Sequence, residues 1–232
     1  MDANAAHGIA VVLSEARPIP YGLATSSTPG IKETGDIEVD WIGPVARHGV
    51  NMVLCESLYP TLHMIEVALR NSVHNPFVVH FAIDSWFEMG WLSMGHAQLV
   101  QQAKDDLNRR NKAVTTDAVI AALSFGFWCG MLHAQYERPG CPWPVLLRKV
   151  FPRVPKNWAT REKIRSRVES VRWLRNRVFH HEPIACLQDL HVQYRGMIEL
   201  LGWLSSDARL HVESLCRFRV VYDDRLCLCP AQ

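Results

Sequence analysis

Arg175, Asn176 and His180 form an Arg-Asn-x3-His pattern near the end of a predicted helix. A guanidinium can hold a phosphate and neutralise developing negative charge, and an imidazole can transfer protons near neutral pH. His180 and His181 both lie in the last helical turn, where the negative end of the helix dipole favours an imidazolium. These residue types therefore suit cleavage of a phosphodiester bond.

The position of Arg175 within an apolar stripe is the second observation. The stripe consists of Ile164, Val168, Val171 and Val178. At about 100° per residue, Arg175 falls in the middle of this stripe. An arginine keeps its charge and is unfavourable to bury alone, so it must reach a carboxylate, carbonyl groups or an anionic ligand in a cleft.

His180 lies about 140° from Arg175 on an ideal helix. The two side chains converge only if the helix bends or ends there, or if a second subunit supplies one of them. The alternative interpretation is that Arg175 and His180 only cap and brace the end of this helix.

A strongly basic segment surrounds the pattern. Residues 145–181 contain eleven basic residues against Glu162 and Glu169, a local charge of +9, so the rest of the chain, whose total is +2, carries −7. Such an excess of positive charge suits the binding of a polyanion. The alternative is that the basic helix face is only solvated. The residues predicted to bind the polyanion are Lys163, Arg165, Arg172 and Arg177.

The segment Arg70, Asn71, His74 repeats the pattern with one residue fewer. Glu66 lies one helical turn before Arg70 and is its expected ion-pair partner. One interpretation is a buried structural network that orients two helices. The other is a supporting role for these four residues in the same cleft.

The elements that must position these residues are predicted to be helices. An apolar stripe from Leu58 to Leu69 predicts a helix that Asn75-Pro76 closes. The cluster Thr115-Thr116-Asp117 caps a second helix, which is apolar on all sides and runs through residues 118–132. Thr160 caps a third helix, which ends near His181. Arg217 to Leu228 is the one segment with a possible strand pattern. The fold class is therefore all-α, a single helical bundle.

Composition excludes several classes of protein. The chain has 232 residues, of which 48% are hydrophobic and 21% charged, as in a globular protein. The longest nearly apolar run, residues 119–132, is too short for a bilayer, and the first residues do not resemble a signal peptide. His181-Glu182 lacks the second histidine of a zinc-protease motif. We therefore expect a cytoplasmic protein with reduced cysteines, no metal, no cofactor and no membrane partner.

Four segments resemble the Abi-like (abortive infection) proteins of the HEPN superfamily, a bacterial group named for abortive infection by phage. The most specific is WLRNRVFHHEPI (173–184), and three others precede it in the family's order. These are LSEAR with Tyr21, IEVALRN (65–71), and LSFGFW (123–128) with WPVLLRKVFP (143–152).

The resemblance implies a HEPN-type helical domain at residues 41–232. Before it, within residues 1–40, the sequence predicts a short helix that ends at Glu15-Ala16-Arg17 and a Pro-, Gly-, Ser- and Thr-rich loop at 18–40. It implies a metal-independent endoribonuclease that leaves 2′,3′-cyclic phosphate and 5′-hydroxyl ends, in phage defence or as a toxin. Arg175 would be the phosphate-binding arginine, Asn176 the polar residue after it, and His180 the catalytic histidine, with His181 as the alternative. A homodimer is expected, and a protein antitoxin is a further possible partner. The alternative function is a module that binds RNA or an antitoxin without cleavage.

Overall fold

Ten α-helices make up most of the computed structural model, which describes residues 2–13 and 42–224. They are α1 (Ala3–Leu13), α2 (Ile42–Phe81), α3 (Met94–Arg109), α4 (Thr116–Ala122), α5 (Phe125–Gly130), α6 (Trp143–Val150), α7 (Arg161–Phe179), α8 (Leu190–Leu204), α9 (Ser206–Leu215) and α10 (Phe218–Asp224). Of the residues described, 76% are helical and none is in a strand. The prediction of an all-α chain is confirmed.

Two compact units divide the chain. The first unit comprises Met1–Tyr59, Arg177–His191 and Cys216–Gln232, and the second comprises Pro60–Asn176 and Val192–Leu215. The helices α2, α7 and α8 each contribute residues to both units.

An aromatic cluster forms the core of the second unit. The ring of Phe77 lies 5.0 Å from Trp86, 5.2 Å from Trp91 and 5.4 Å from Trp143, measured between centroids. Phe77 and Trp86 are fully buried. Aromatic contacts of this kind add to the free energy gained from burial alone.

The predicted end of α2 at Asn75-Pro76 is wrong. The aromatic cluster explains why the helix continues beyond it. The helix passes through Pro60 and Pro76 and ends at Phe81. Proline removes one backbone hydrogen bond but its φ angle is compatible with a helix, so burial of the next residue, Phe77, can stabilise the continued helix. The predicted apolar stripe is confirmed, since Leu58, Leu62, Ile65 and Leu69 are all buried.

The first unit is held by polar contacts as well as by apolar packing. Arg217 donates to both carboxylate oxygens of Glu56 at 2.8 Å. The Cys216 thiol lies 3.3 Å from the carbonyl oxygen of Ser57. Phe218, which follows directly, is buried, so α10 begins with an apolar anchor.

A capping serine divides the apolar segment after Thr115 into two helices. Thr115 accepts a hydrogen bond from the N–H of Ala118, as predicted. The single long helix expected next is wrong, because Leu123 is extended and Ser124 accepts from the N–H of Phe127 at 3.4 Å. Serine favours such a cap over the helix interior, and α5 begins after it.

The ends of the chain agree in part with the predictions. The predicted N-terminal helix is present as α1, whereas the predicted loop at 18–40 lies outside the described residues. The possible strand after Arg217 is wrong where the structure describes it, since Phe218–Asp224 is helical. Residues 225–228 of that segment also lie outside the described residues.

Among the described residues, one helix, α2, is long and apolar enough to cross a membrane. Its most apolar window of 18 residues has a mean hydropathy of 1.2, and 39% of that window is buried in the protein. The core helix of a soluble protein meets the same criteria, so α2 is weak support for a membrane span.

Candidate functional site

Arg175 lies on α7 with a carboxylate nearby and access to solvent. Its Nη2 atom is 3.7 Å from Oε2 of Glu66, and 28% of the arginine side chain is exposed. The separation is longer than a hydrogen bond, so the two charges attract each other across a loose contact. On the same helix, Ile164, Val168 and Val171 are buried. The guanidinium is therefore next to the core without being sealed inside it.

The carboxylate of Glu66 has a different partner from the one predicted. The i, i+4 spacing on α2 predicted Arg70, but Glu66 pairs with Arg175 of α7. The Nε atom of Arg70 instead donates to Oδ1 of Asn71 at 3.4 Å, and this contact is exposed. The predicted Glu66–Arg70 pair was wrong, because a tertiary neighbour outcompetes one on the same helix.

His74 has a structural contact within the second unit. Its Nδ1 accepts a hydrogen bond of 2.9 Å from Nε1 of the buried Trp86. Burial lowers the pKa of His74, and the nearby charges of Asp117 and Asp84 oppose this effect. His74 is therefore neutral near pH 7, and it anchors the Trp86 ring. This contact favours the structural interpretation of the second pattern for His74.

A cluster that the sequence reasoning missed centres on Glu169 in the second unit. Its Oε1 atom lies 3.0 Å from Nε2 of His133, and its Oε2 accepts from Nε of Arg172 at 2.8 Å. Burial would raise the pKa of Glu169, but the hydrogen bonds from His133 and Arg172 outweigh it, and the net shift is downward. Glu169 is therefore ionised at neutral pH. The available signal was that Glu169 is one of only two acids in the basic segment.

The loose Arg175–Glu66 pair and the Glu169 cluster belong to one electrostatic neighbourhood. The charges of Glu169, Arg172, Glu66 and Arg175 all act on the thiol of Cys129, which is fully buried. Burial is the largest cause of the raised pKa of this thiol. Cys129 therefore stays protonated and is unsuited to act as a nucleophile.

The histidines of the pattern lie in the first unit, where α7 ends. The N–H of Glu182 donates to the carbonyl of Arg177 at 2.8 Å, and the N–H of His181 donates to that of Val178 at 3.2 Å. These two bonds form a Schellman motif, in which His181 takes the left-handed position with φ of 59°. His180 is the last residue before this turn, and the side chains of both histidines are exposed.

Asn51 holds the segment that follows these histidines. Its buried Oδ1 accepts from the N–H groups of Ile184 at 2.7 Å and Ala185 at 3.1 Å. Its Nδ2 donates to the carbonyl of Glu182 at 3.4 Å. The amide thus satisfies three backbone groups just after the Schellman motif. Nothing in the local sequence around Asn51 indicated this contact.

The remaining predicted residues have varied surroundings. Asn176 and Arg165 are half-buried, and Lys163 donates to the carbonyl of Asn157 at 2.7 Å. Arg177 lies 3.1 Å from Glu182 and donates to the carbonyl of Pro183. Of these residues, Arg172 lies one helical turn before Arg175 on α7 and, like it, acts on the thiol of Cys129.

Acids outside the basic segment neutralise part of its charge. Arg161 pairs with Glu137 at 2.5 Å, and Arg167 pairs with Glu199 at 3.0 Å. The guanidinium of Arg167 also lies 4.9 Å from the centroid of the Trp158 ring, a cation–π distance. The charge of +9 counted along the chain therefore overstates the positive charge available to a ligand.

Within the described residues, no group of three His, Cys, Asp or Glu side chains is arranged to hold a metal ion. No protein-family model, curated protein or solved structure matches the chain.

Proposed function

We propose that this chain is an endoribonuclease of the Abi-like, HEPN type, and that it cleaves RNA without a metal ion. The observation that carries the proposal is the position of Arg175. Its charged side chain lies next to the core, keeps solvent access, and contacts Glu66 at 3.7 Å, a distance longer than a hydrogen bond. A guanidinium in this state can exchange a weak carboxylate contact for two stronger hydrogen bonds to a phosphate.

In the proposed reaction, the 2′-oxygen of a ribose bonds to the adjacent phosphorus as the bond from phosphorus to the 5′-oxygen breaks. His180 accepts the proton of the 2′-hydroxyl group. Arg175 binds the phosphate and stabilises the extra negative charge of the transition state. The products are a 2′,3′-cyclic phosphate and a 5′-hydroxyl, once a proton has reached the leaving oxygen.

Two features of the chain support the assignment of His180 over His181. His180 directly follows the last residue of α7, and its side chain is exposed, so it is accessible to RNA. His181 has a structural task, since it occupies the left-handed position of the Schellman motif. Asn51 anchors the backbone that follows, so this helix end has a defined conformation.

The wider context of the proposal rests on the resemblance of residues 173–184. It comprises a HEPN-type bundle, a homodimer, a cytoplasmic location, and a role in phage defence or as a toxin with a cognate antitoxin. In a homodimer, the second subunit can supply another copy of Arg175 and His180 to the same RNA.

The test is cleavage of a 5′-labelled single-stranded RNA of mixed sequence in EDTA. We expect the wild type to cut and both Arg175→Ala and His180→Ala to lose at least about 100-fold in rate. Arg219→Ala, which removes an arginine from α10, is the matched control and should cut like the wild type. Equal activity in all four proteins would contradict the assignment. Salt-sensitive RNA binding with no product would support the binding-module alternative instead.

A further inference from the structure

His133 lies in the turn after α5 and has the surroundings of a catalytic imidazole. Its Nε2 atom is 3.0 Å from Oε1 of Glu169, and 40% of its side chain is exposed. The contact is partly buried on the side of Glu169, which is 26% exposed. It therefore fixes the orientation of the ring while part of the ring stays accessible to a ligand.

Glu169 determines which nitrogen of His133 faces a ligand. Because its pKa is lowered, Glu169 is ionised near pH 7 and can only accept hydrogen bonds. The Nε2 atom of His133 must then carry a hydrogen. This leaves Nδ1 as the nitrogen that exchanges a proton with a substrate.

Two arginines of α7 can bind an anionic ligand on which this imidazole would act. Arg172 is held by the second oxygen of Glu169, and 39% of its side chain is exposed. Its Nη atoms make no hydrogen bond within the described part of the chain. Arg175 follows one helical turn later, and both arginines act on the buried thiol of Cys129. Because Arg172 and Arg175 are neighbours on one face of α7 and Arg172 shares Glu169 with His133, a phosphate bound by Arg175 would lie on the side of the helix that carries a second cation and an oriented imidazole.

We propose that His133 is a second catalytic residue, the general acid that protonates the leaving 5′-oxygen, with Glu169 as its positioning residue. The inference rests on the proposed function and supplies the proton that His180 does not. The imidazolium of His133 gives its Nδ1 proton to the 5′-oxygen as the phosphorus–oxygen bond breaks, while His180 gains the 2′-hydroxyl proton. The ring of His133 ends neutral, with Nε2–H still bonded to Glu169, and solvent exchanges both protons afterwards.

The experiment compares two RNA substrates that differ in the leaving group. One is an ordinary oligonucleotide, and the other has sulfur in place of the 5′-bridging oxygen at one position. A thiolate leaves without protonation, so it does not need the general acid. We expect His133→Gln to slow cleavage of the ordinary RNA by about 100-fold or more and of the sulfur-substituted RNA by less than about 10-fold. His180→Ala should be slow on both.

Glutamine is the informative replacement because its side-chain amide can still donate a hydrogen bond to Glu169. Glu169→Gln should give the same pattern as His133→Gln, in a milder form, since a neutral amide can also donate to the ring and no longer fixes its hydrogen on Nε2. A merely structural role for Glu169 would slow both substrates equally. His211→Gln, which alters an exposed histidine of α9, is the control and should match the wild type.

The outcomes separate the two proposals. A wild type that leaves both RNAs intact contradicts the proposed function and this inference together. A wild type that cuts, alongside a His133→Gln variant that cuts ordinary RNA equally well, contradicts this inference alone. Equal slowing of both substrates by His133→Gln also contradicts it, because the lost group would not then act on the leaving oxygen.

Discussion

Arg175 on α7 lies 3.7 Å from Glu66 on α2, with 28% of the arginine side chain and 34% of the glutamate side chain exposed. A buried arginine without a partner would be unstable, and one sealed against several carboxylates could not bind a ligand. Arg175 is in neither condition, because it contacts a carboxylate and keeps part of its side chain exposed. Glu66 lowers the free energy of the charged side chain, and the exposed part of that side chain is accessible to a ligand.

The first prediction concerns competition between Glu66 and a phosphate. Glu66→Gln removes a negative charge beside Arg175, so we expect RNA to bind about 3- to 10-fold more tightly. The free energy of unfolding should change by less than about 1 kcal/mol, because the pair is loose and partly exposed. Binding is measured by fluorescence anisotropy with an oligonucleotide that carries 2′-deoxy sugars and is not cut.

Glu213→Gln provides the matched control for Glu66→Gln. Glu213 pairs with Arg209 at 3.2 Å on α9, so this variant changes the net charge by the same amount at another place. We expect RNA affinity to rise less in Glu213→Gln than in Glu66→Gln. An equal rise in both variants would show a general effect of charge and would contradict a phosphate site at Arg175.

The second prediction concerns the left-handed residue at the end of α7. His181 has φ of 59°, a conformation that is unfavourable for a side chain with a Cβ atom and accessible to glycine. His181→Gly should therefore raise the free energy of unfolding by about 0.5–1 kcal/mol, as measured by denaturant titration. His181→Ala, which keeps the Cβ atom, should give no such gain.

The same variants show whether His180 or His181 transfers the proton in the reaction. If His180 transfers the proton, His181→Gly should cut RNA within about 3-fold of the wild type, a change too small for loss of an acid–base group. A loss of activity in both His181→Gly and His181→Ala, with His180→Ala active, would assign the role to His181.

The third prediction concerns the buried amide of Asn51. Asn51→Leu keeps a similar volume but leaves the N–H groups of Ile184 and Ala185 without their acceptor. We expect a loss of about 2–5 kcal/mol in the free energy of unfolding. Asn51→Asp retains two acceptor oxygens and should lose less. Asn108→Leu, at an exposed position of α3, is the control, and a loss as large as that of Asn51→Leu would contradict the assignment.

The fourth prediction is a pH dependence that arises from His74. Burial lowers the pKa of His74 below its usual 6.5, so the unfolded chain takes up a proton at a higher pH than the folded protein does. The stability due to neutral His74 is present above pH 6.5 and is lost as the pH falls from there towards the lowered pKa. Protonation of Nδ1 would also break the hydrogen bond from Trp86.

Chemical denaturation at pH 7.5 and pH 5.5, followed by tryptophan fluorescence, measures this effect. The free energy of unfolding should be lower at pH 5.5 in the wild type. His74→Gln can still accept from Trp86 and does not titrate, so its decrease should be smaller. His211→Gln should retain the decrease seen in the wild type. A decrease of the same size in His74→Gln would show that other groups cause it.

Local patterns were sufficient to predict several elements. The threonines at 115 and 160 begin α4 and α7, and α7 ends two residues before the predicted end at His181. The apolar stripe of α2 is buried as its spacing indicates. These features depend on contacts within a few residues, where backbone geometry relates spacing to position.

The partners of the charged residues could not be predicted in this way. Glu66 has Arg70 one turn away but pairs with Arg175, and Arg167 pairs with Glu199, which lies 32 residues further along the chain. Such choices depend on which helix faces another, and the sequence of one chain does not specify this. His133 is in a short turn without a recognisable pattern, so its contact with Glu169 became visible only in three dimensions.

The central claim is that Arg175 and His180 cleave RNA through its own 2′-hydroxyl group. The most direct measurement is mass spectrometry of the products from an oligonucleotide with one ribose among deoxyribose sugars, treated in EDTA. We expect a single cut after that ribose, with a 2′,3′-cyclic phosphate on one product and a 5′-hydroxyl on the other, and none with Arg175→Ala. Cleavage of the all-deoxyribose strand, or a 5′-phosphate end, would contradict the claim.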